Sequence, residues 1–260
     1  MTRPTIAELF DLSGKTAIVT AAGQGMGRGI ALRLADAGAN IVVSHRHLDK
    51  AEETAAAIRA NGGKAVAALA DVTDLGQIGD TVRTALDSFG AIDILVNNAG
   101  GMHPFTPFLD VTPEMFQWTI DRNVTGTYFF TQAVARAMVD AGRPGNIVNI
   151  ASTASTRPDM MVAAYNASKA AVVSLTQSLS VELAPHGILV KAVSPGPIRT
   201  TATEGLYTDP GIAKMISDRI LLGAAGVPDD IAAAVLFCCA PASRHMTGAN
   251  LVIDGGYVLT

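Results

Sequence analysis

The sequence predicts an α/β fold, a single parallel sheet of about seven strands with helices on both faces. Three observations carry this reading. Short runs rich in Val, Ile and Ala recur along the chain, and most are followed by a longer stretch with helical spacing. Those runs are apolar at consecutive rather than alternate positions, so both of their faces are buried. Hydrophobic residues make up 49% of the 260 residues and charged residues only 16%, which suits a large core and excludes disorder. No Pro/Ser/Gly-rich linker divides the chain, so residues 1–260 are expected to form one domain.

The elements follow in order. Residues 1–14 form a lead-in pinned by Leu9, Phe10 and Leu12. A strand over 15–20 enters Thr20-Ala-Ala-Gly-Gln-Gly-Met-Gly27, which turns directly into a helical pattern ending at Gly38. Strand, glycine turn and helix in that order form the start of a dinucleotide-binding unit. Gly23 and Gly25, with Gln24 and Met26 beside them, are expected to let the backbone approach a pyrophosphate. Gly27 is expected to bring the helix close to the strand, and the helix N-terminus supplies free N–H groups. Residues 41–44 read as a second strand, 48–61 as a helix closed by Gly62-Gly63, and 64–70 as a strand. Asp74 caps a helix that reaches about Phe89 and ends at Gly90, before a strand over 92–96. A long helical region starts at Thr112, with Pro113 in its first position, and runs to about Ala141. Strands over 146–151, 188–193 and 250–253 alternate with helices over 163–185 and 229–239. Residues 200–226 have the weakest strand pattern, with Gly and Pro at their edges, and are expected to form a flap over a site.

The chemistry centres on Tyr165-Asn166-Ala167-Ser168-Lys169, with Ser152 thirteen residues before the tyrosine. On a helix, Tyr165 and Lys169 project from the same face. An ammonium beside a phenol is expected to lower the tyrosine pKa and fit it for acid/base work. Ser152 can donate or accept a hydrogen bond at the same reacting oxygen. Taken alone, such a Tyr/Lys pair is common in helices as an amphipathic tyrosine beside a solvated lysine.

The wider pattern resolves the ambiguity. Thr20-x-x-x-x-Gly25-x-Gly27, Asp71-Val72, Asn97-Asn98-Ala99-Gly100, Asn123, Ser152, Tyr165-x-x-x-Lys169 and Pro195-Gly196-x-Ile198-x-Thr200 occur in one order. Over roughly residues 12–256 this set resembles the short-chain dehydrogenases/reductases, with the general look of 3-oxoacyl-acyl-carrier-protein reductases. The resemblance implies a Rossmann-type fold and hydride transfer between a nicotinamide cofactor and a ketone or secondary alcohol. It implies that Tyr165 gives the proton and Ser152 orients the oxygen. Lys169 would tune the tyrosine and hold the nicotinamide ribose hydroxyls, and Asn123 would open its helix to hold a water beside the lysine. It further implies that Asp71 and Val72 lie by the adenine, and Asn98, Ala99 and Gly100 by the cofactor ribose. Pro195, Gly196, Ile198 and Thr200 would lie at the nicotinamide end. One departure is Ala21, where the family's glycine motif starts with Gly; alanine fits if the backbone there keeps a negative φ.

Cofactor choice is expected to rest on Ser44-His45-Arg46 at the end of the second strand, where no carboxylate stands before Asp49. An acid there would bind the ribose hydroxyls of NAD(H) and repel a 2′-phosphate. Its absence, with the planar fork of Arg46, points to NADP(H) over NAD(H). His45 or Ser44 could add a hydrogen bond.

Other classes are excluded. A net charge of −4 without a basic run disfavours nucleic acid. The longest clean apolar run, 231–240, is too short to span a bilayer, and no secretory signal is visible, so a cytoplasmic protein is expected. Cys238 and Cys239 read as small core residues, the five histidines lack metal-ligand spacing, and motifs of hydrolases, zinc proteases and P-loops are missing. The apolar and small residues of 112–141 and 163–185 exceed what one sheet face absorbs, which predicts a homo-oligomer; the resemblance implies a tetramer. A rival reading, a catalytically silent nucleotide-sensing protein on the same scaffold, loses ground because Ser152, Tyr165 and Lys169 are all present. Expected pocket residues are Gly101, Met102, His103, Thr153, Ala154, Met160, Met161 and 201–222, which suggest a largely apolar small-molecule substrate. His103 and Arg157 are candidates for a polar or anionic group on it.

Overall fold

The computed structural model describes residues 3–260, so the first two residues of the lead-in lie outside it. Its strands are β1 (Thr16–Val19), β2 (Asn40–His45), β3 (Ala65–Leu69), β4 (Ile94–Asn97), β5 (Gly145–Ile150), β6 (Ile188–Pro195) and β7 (Asn250–Ile253). All pair in parallel, in the order β3-β2-β1-β4-β5-β6-β7. The helices are α1 (Ile6–Phe10), α2 (Gly25–Asp36), α3 (Leu48–Ala60), α4 (Leu75–Phe89), α5 (Pro113–Ile120), α6 (Gly126–Asp140), α7 (Ala163–Leu183), α8 (Glu204–Tyr207), α9 (Pro210–Ser217) and α10 (Pro228–Cys239). The strand order reverses between β1 and β4, and in such sheets the ligand crevice opens there, at the carboxyl ends of the strands.

Alternate strand residues feed two cores. Ala17, Val19, Ile41, Val43 and Val96 pack with Ile30 and Leu34 of α2, Ile58 of α3 and Ile231 and Val235 of α10. Their neighbours Ile18, Val42 and Leu95 pack on the opposite face with Ile78 of α4 and Phe130, Val134 and Met138 of α6. Both faces of the sheet are therefore dry, which is why the strands read as continuous apolar runs.

Local signals set the helix ends. Asp74 caps α4 by accepting from Gly76 and Gln77 N–H, and Gly90 ends it at φ 76°. Thr112 caps α5 with Pro113 behind it. The helical region then widens into a π-turn over Asp121–Thr125, with Asn123 buried inside it, before continuing as α6. The stretch 200–226 holds α8 and α9 and is tied to the sheet side by a bridge between Ile198 and Gly226 and by Leu222 N–H, which donates to Gly255 O at 3.1 Å.

A buried polar line crosses the middle of the sheet. Asn97 Nδ2 donates to Thr131 Oγ1 at 2.8 Å and to Asn149 Oδ1 at 2.9 Å. Asn149 Nδ2 then donates to Thr176 Oγ1 on α7 at 2.9 Å. The line joins β4, β5, α6 and α7 with paired groups throughout, as buried polar groups require.

Candidate functional site

Tyr165 and Lys169 stand one turn apart near the start of α7. Lys169 is buried, and its Nζ donates to Ile150 O at 2.8 Å, at the carboxyl end of β5. Two residues beyond that strand end, Ser152 accepts from Ala154 N–H at 3.1 Å and faces Tyr165. Asn123 works from the π-turn. Its Oδ1 accepts from Gly101 N–H at 2.9 Å, and its Nδ2 donates to Gly101 O at 2.7 Å and to Ser168 Oγ at 2.9 Å. Ser168 Oγ passes the chain on to Tyr165 O at 2.8 Å. The exit of β4, the opened helix and α7 are thus tied together around four of the expected site residues.

The electrostatics correct one expectation. Burial pushes the Tyr165 pKa up, outweighing the lowering effect of Ser152, and the nearby Asp159 pushes the same way. The Lys169 ammonium lies 5.7 Å from the tyrosine ring centroid and spends its hydrogen bond on Ile150 O. The net shift is therefore upward, where the spacing predicted a lowering. Burial also pulls Lys169 down, to about 8. At neutral pH the phenol keeps its proton and the lysine keeps its charge.

The glycine turn builds the second part of the site. Thr20 Oγ1 accepts from the N–H groups of Asn98 and Ala99, both at 2.9 Å, and Asn98 Nδ2 donates to Thr20 O at 2.9 Å. A Cβ on Gly27 would stand 2.5 Å from Asn98 Nδ2, so the close approach expected of the helix is present. Gly23 answers to a packing constraint as well, because a Cβ there would meet Lys50 Cβ at 2.7 Å and His45 Cγ at 3.0 Å. Packing of α3 and β2 against the turn demands that glycine. Ala21 also departs from expectation, with a φ of 51° where a negative value was anticipated. Left-handed backbone costs an L-residue about 1 kcal/mol.

The N-terminus of α2 has no side-chain cap from Gln24 and no acid in its first turn. Its first N–H groups thus form a ready anion site. Beside it, Gln24, His45, Arg46, Asp71, Val72, Ala99 and Gly100 line a cleft of about 220 Å³. His45 is buried, with His47 N–H bonded to its Nδ1 at 3.1 Å, and burial lowers its pKa. Arg46 makes no salt bridge among the described residues. Burial raises the Asp71 pKa, but hydrogen bonds from Thr73 and the charges of Arg122 and Arg46 bring it below the ordinary value. Ser44 is not brought to this cleft, because its hydroxyl is fully enclosed and has no partner. Trp118 and Arg122, which sequence reasoning missed, complete the wall, the guanidinium lying 4.3 Å from the Trp118 ring centroid. Their nearest sequence signal is the adjacent Asn123.

A second cleft, of about 390 Å³, opens over Ser152 and Tyr165. Met26, Pro195, Gly196, Ile198 and Thr200 also line it, and Thr200 N–H is tied to Thr203 Oγ1 at 2.8 Å. Of the expected pocket residues, Met102, Thr153 and Met160 line it, and α8, α9 and their flanks add Leu206, Ile212, Met215 and Arg219. Gly101, Ala154, Met161 and His103 do not; His103 is buried with Nδ1 against Pro104 O at 2.7 Å. Arg157 is likewise committed elsewhere, stacked 4.4 Å from the Tyr257 ring centroid and donating to Thr260 O. Asp159 and Tyr257 were missed, and both line the cleft. Among the described residues no group of side chains could hold a metal ion, and no helix is long and apolar enough to cross a membrane.

Comparison with known proteins agrees with this geometry. A family model described as enoyl-(acyl carrier protein) reductase matches residues 20–258. An L-rhamnose 1-dehydrogenase (NAD(P)(+)) of Azotobacter vinelandii is 39% identical over 249 residues, covering 94% of this chain and 97% of that one. A 3-oxoacyl-[acyl-carrier-protein] reductase of Synechocystis is 37% identical, covering 95% and 98%. The crystal structure of a short-chain type dehydrogenase/reductase from Mycobacterium marinum superposes with a TM-score of 0.91 at 40% identity, covering 99% and 100%.

The buried lysine predicts a pH dependence. Below pH 8 Lys169 is protonated whether the chain is folded or not. Between about 8 and its ordinary value of 10.5, the unfolded chain holds a proton that the folded protein has released. Raising the pH through that window therefore favours the folded state, by roughly 3 kcal/mol at its end. Urea unfolding of the cofactor-free protein at pH 7.5 and 10 should show this gain relative to Lys169→Met. Equal pH dependence in the two proteins would place the lysine's titration elsewhere.

Proposed function

The chain belongs to the short-chain dehydrogenase/reductase family and is an NAD(P)-dependent oxidoreductase, and from that premise we propose that Ser152, Tyr165 and Lys169 carry the proton side of its reaction on a ketone or secondary alcohol. One observation carries the reading: Ser152 and Tyr165 open onto a single apolar cleft, while Lys169 is fixed behind them on the end of β5. The bound nicotinamide supplies or accepts the hydride. In reduction, the protonated phenol of Tyr165 gives its proton to the carbonyl oxygen, and the Ser152 hydroxyl holds the same oxygen. Lys169, positive at pH 7, stabilises the phenolate left behind and is placed for the ribose hydroxyls. Asn123 keeps Gly101 and Ser168 in register around them.

The residues present fit the cofactor. The open N-terminus of α2, with Gly23, Gln24, Gly25, Met26 and Gly27, takes the pyrophosphate. Asp71 and Val72 border the adenine side, Asn98, Ala99 and Gly100 the ribose. Pro195, Gly196, Ile198 and Thr200 meet the nicotinamide end. NADP(H) is the preferred form: Arg46 makes no salt bridge among the described residues, and Arg122, 3.8 Å from the Asp71 carboxylate it pairs with, brings a second cation to the same cleft. The segment 200–226 serves as a flap over the substrate, because its two short helices supply one wall of the cleft. A homotetramer is supported by exposed apolar groups on α5, α6 and α7, such as Phe116, Tyr128 and Val181, the last 76% exposed.

Three outcomes test these points. Tyr165→Phe should reduce turnover at least a thousandfold while cofactor affinity, read by fluorescence titration, stays within a few-fold; retained turnover removes the proposed proton donor. The parent should show a higher kcat/KM with NADPH than with NADH, and His45→Asp should reverse the order. A parent that already favours NADH sinks the cofactor assignment. Sedimentation velocity should give a tetramer at working concentration, and a stable monomer contradicts the assembly.

A further inference from the structure

We propose that the Asp159 carboxylate is a substrate-binding group, an acceptor for a hydroxyl on the substrate, and that it selects neutral polyhydroxylated alcohols and ketones over plain ones. The inference rests on the oxidoreductase reading above and names the substrate class of that same site.

Asp159 lines the cleft that holds Ser152 and Tyr165. Its main chain is clipped twice to one side chain: its N–H donates to Asn166 Oδ1 at 3.3 Å, and its C=O accepts from Asn166 Nδ2 at 2.8 Å. Asn166 follows Tyr165 on α7, so the loop residue is fixed relative to the proton donor. The carboxylate itself is held by Tyr257, which also lines the cleft and donates its hydroxyl to Oδ1 at 3.1 Å. Its influence reaches the site, since it helps to raise the Tyr165 pKa.

That arrangement leaves one oxygen over. Among the described residues nothing donates to Asp159 Oδ2, and no cation lies within salt-bridge distance of the carboxylate. The same cleft is lined by apolar groups such as Met102, Phe105 and Leu206 and by the hydroxyls of Thr153, Thr200 and Tyr207. Asp159 is half-buried and its Oδ2 is open to the cleft, so a ligand can reach that oxygen. Anchoring the C-terminal segment through Tyr257 needs only Oδ1, a role a neutral amide oxygen could also fill. A free, pre-positioned, charged acceptor matches a donor brought by the ligand, and hydroxyls are the donors that a neutral alcohol substrate carries. The competing feature is Arg219, which lines the same cleft without an acidic partner and would favour a carboxylate-bearing substrate.

The test uses the full chain loaded with NADP+ and three kinds of alcohol: C5 and C6 alditols, cyclohexanol, and 4-hydroxycyclohexanecarboxylate. The parent should prefer an alditol. Asp159→Asn should cut the ratio of alditol to cyclohexanol kcat/KM by about ten- to a hundredfold, the worth of a charge-assisted hydrogen bond. Tyr257→Phe, which keeps the charge and the Asn166 clip but loosens Oδ1, should lower that ratio clearly less than Asp159→Asn does. The proposal is overturned if Asp159→Asn lowers both substrates alike, if Tyr257→Phe reproduces it, or if the parent prefers the carboxylate and Arg219→Gln abolishes that preference. Calorimetric binding of the alditol to the parent and to Asp159→Asn makes the same comparison without turnover. Failure of the acid/base assignment, seen with cyclohexanol, is thereby distinct from failure of the hydroxyl acceptor.

Discussion

A charged ammonium buried at the carboxyl end of β5 constrains the rest of this site. Among the described residues Lys169 has one acceptor, Ile150 O, and burial has already drawn its pKa to about 8. Such a group tolerates little displacement, because a shift that breaks its single bond leaves an unpaired buried charge. The surrounding structure removes that freedom. Asn149, the neighbour of Ile150, holds Thr176, and Thr176 lies two turns beyond Lys169 on the same buried stripe of α7. The helix can therefore neither rotate nor slide against the strand that receives the ammonium. Asn123 closes the other side by holding Ser168 and Gly101 at once. Each of these bonds contributes little net stability, but each is expensive to leave unmade, and that asymmetry fixes the geometry.

The parts of the molecule that were legible in the sequence are those whose cause is local. Parallel strands dry on both faces announce themselves as apolar runs, and Asp74, Gly90 and Thr112-Pro113 mark helix ends through caps that span a few residues. The Tyr165/Lys169 face was visible for the same reason. The tyrosine's pKa was not, because residue spacing gives the direction of a neighbouring charge and says nothing of depth. Depth is set by strands and helices far along the chain, and here it decides the sign.

Two further features escaped for a related reason. Lys191 stands inside a strand that reads as apolar, yet it is fully buried, with Nζ bonded to Asn146 Oδ1, Cys238 O and Ser243 Oγ. One partner is a main-chain carbonyl, which no side-chain pattern reveals. Asp159 and Tyr257 meet across 98 positions of sequence, and neither belongs to a spaced motif. Contacts of this kind are products of the fold, so they become readable only after the sheet has brought its strand ends together.

Ala21 shows how the turn and the site balance each other. Its left-handed backbone would be easier for glycine, so the methyl is a standing cost of about 1 kcal/mol. The neighbouring bonds hold it in that conformation: Thr20 gathers Asn98 and Ala99, and Ala22 N–H donates to Ser44 O at 2.9 Å. Alanine also has fewer unfolded conformations to lose than glycine, which returns part of the cost on folding. The turn is thus restrained by its own residue as well as by its partners. A turn with fewer accessible shapes has less to give up when a ligand binds against it, and the uncapped N-terminus of α2 stands directly beyond. Local strain and ligand readiness are, at this position, two consequences of one methyl group.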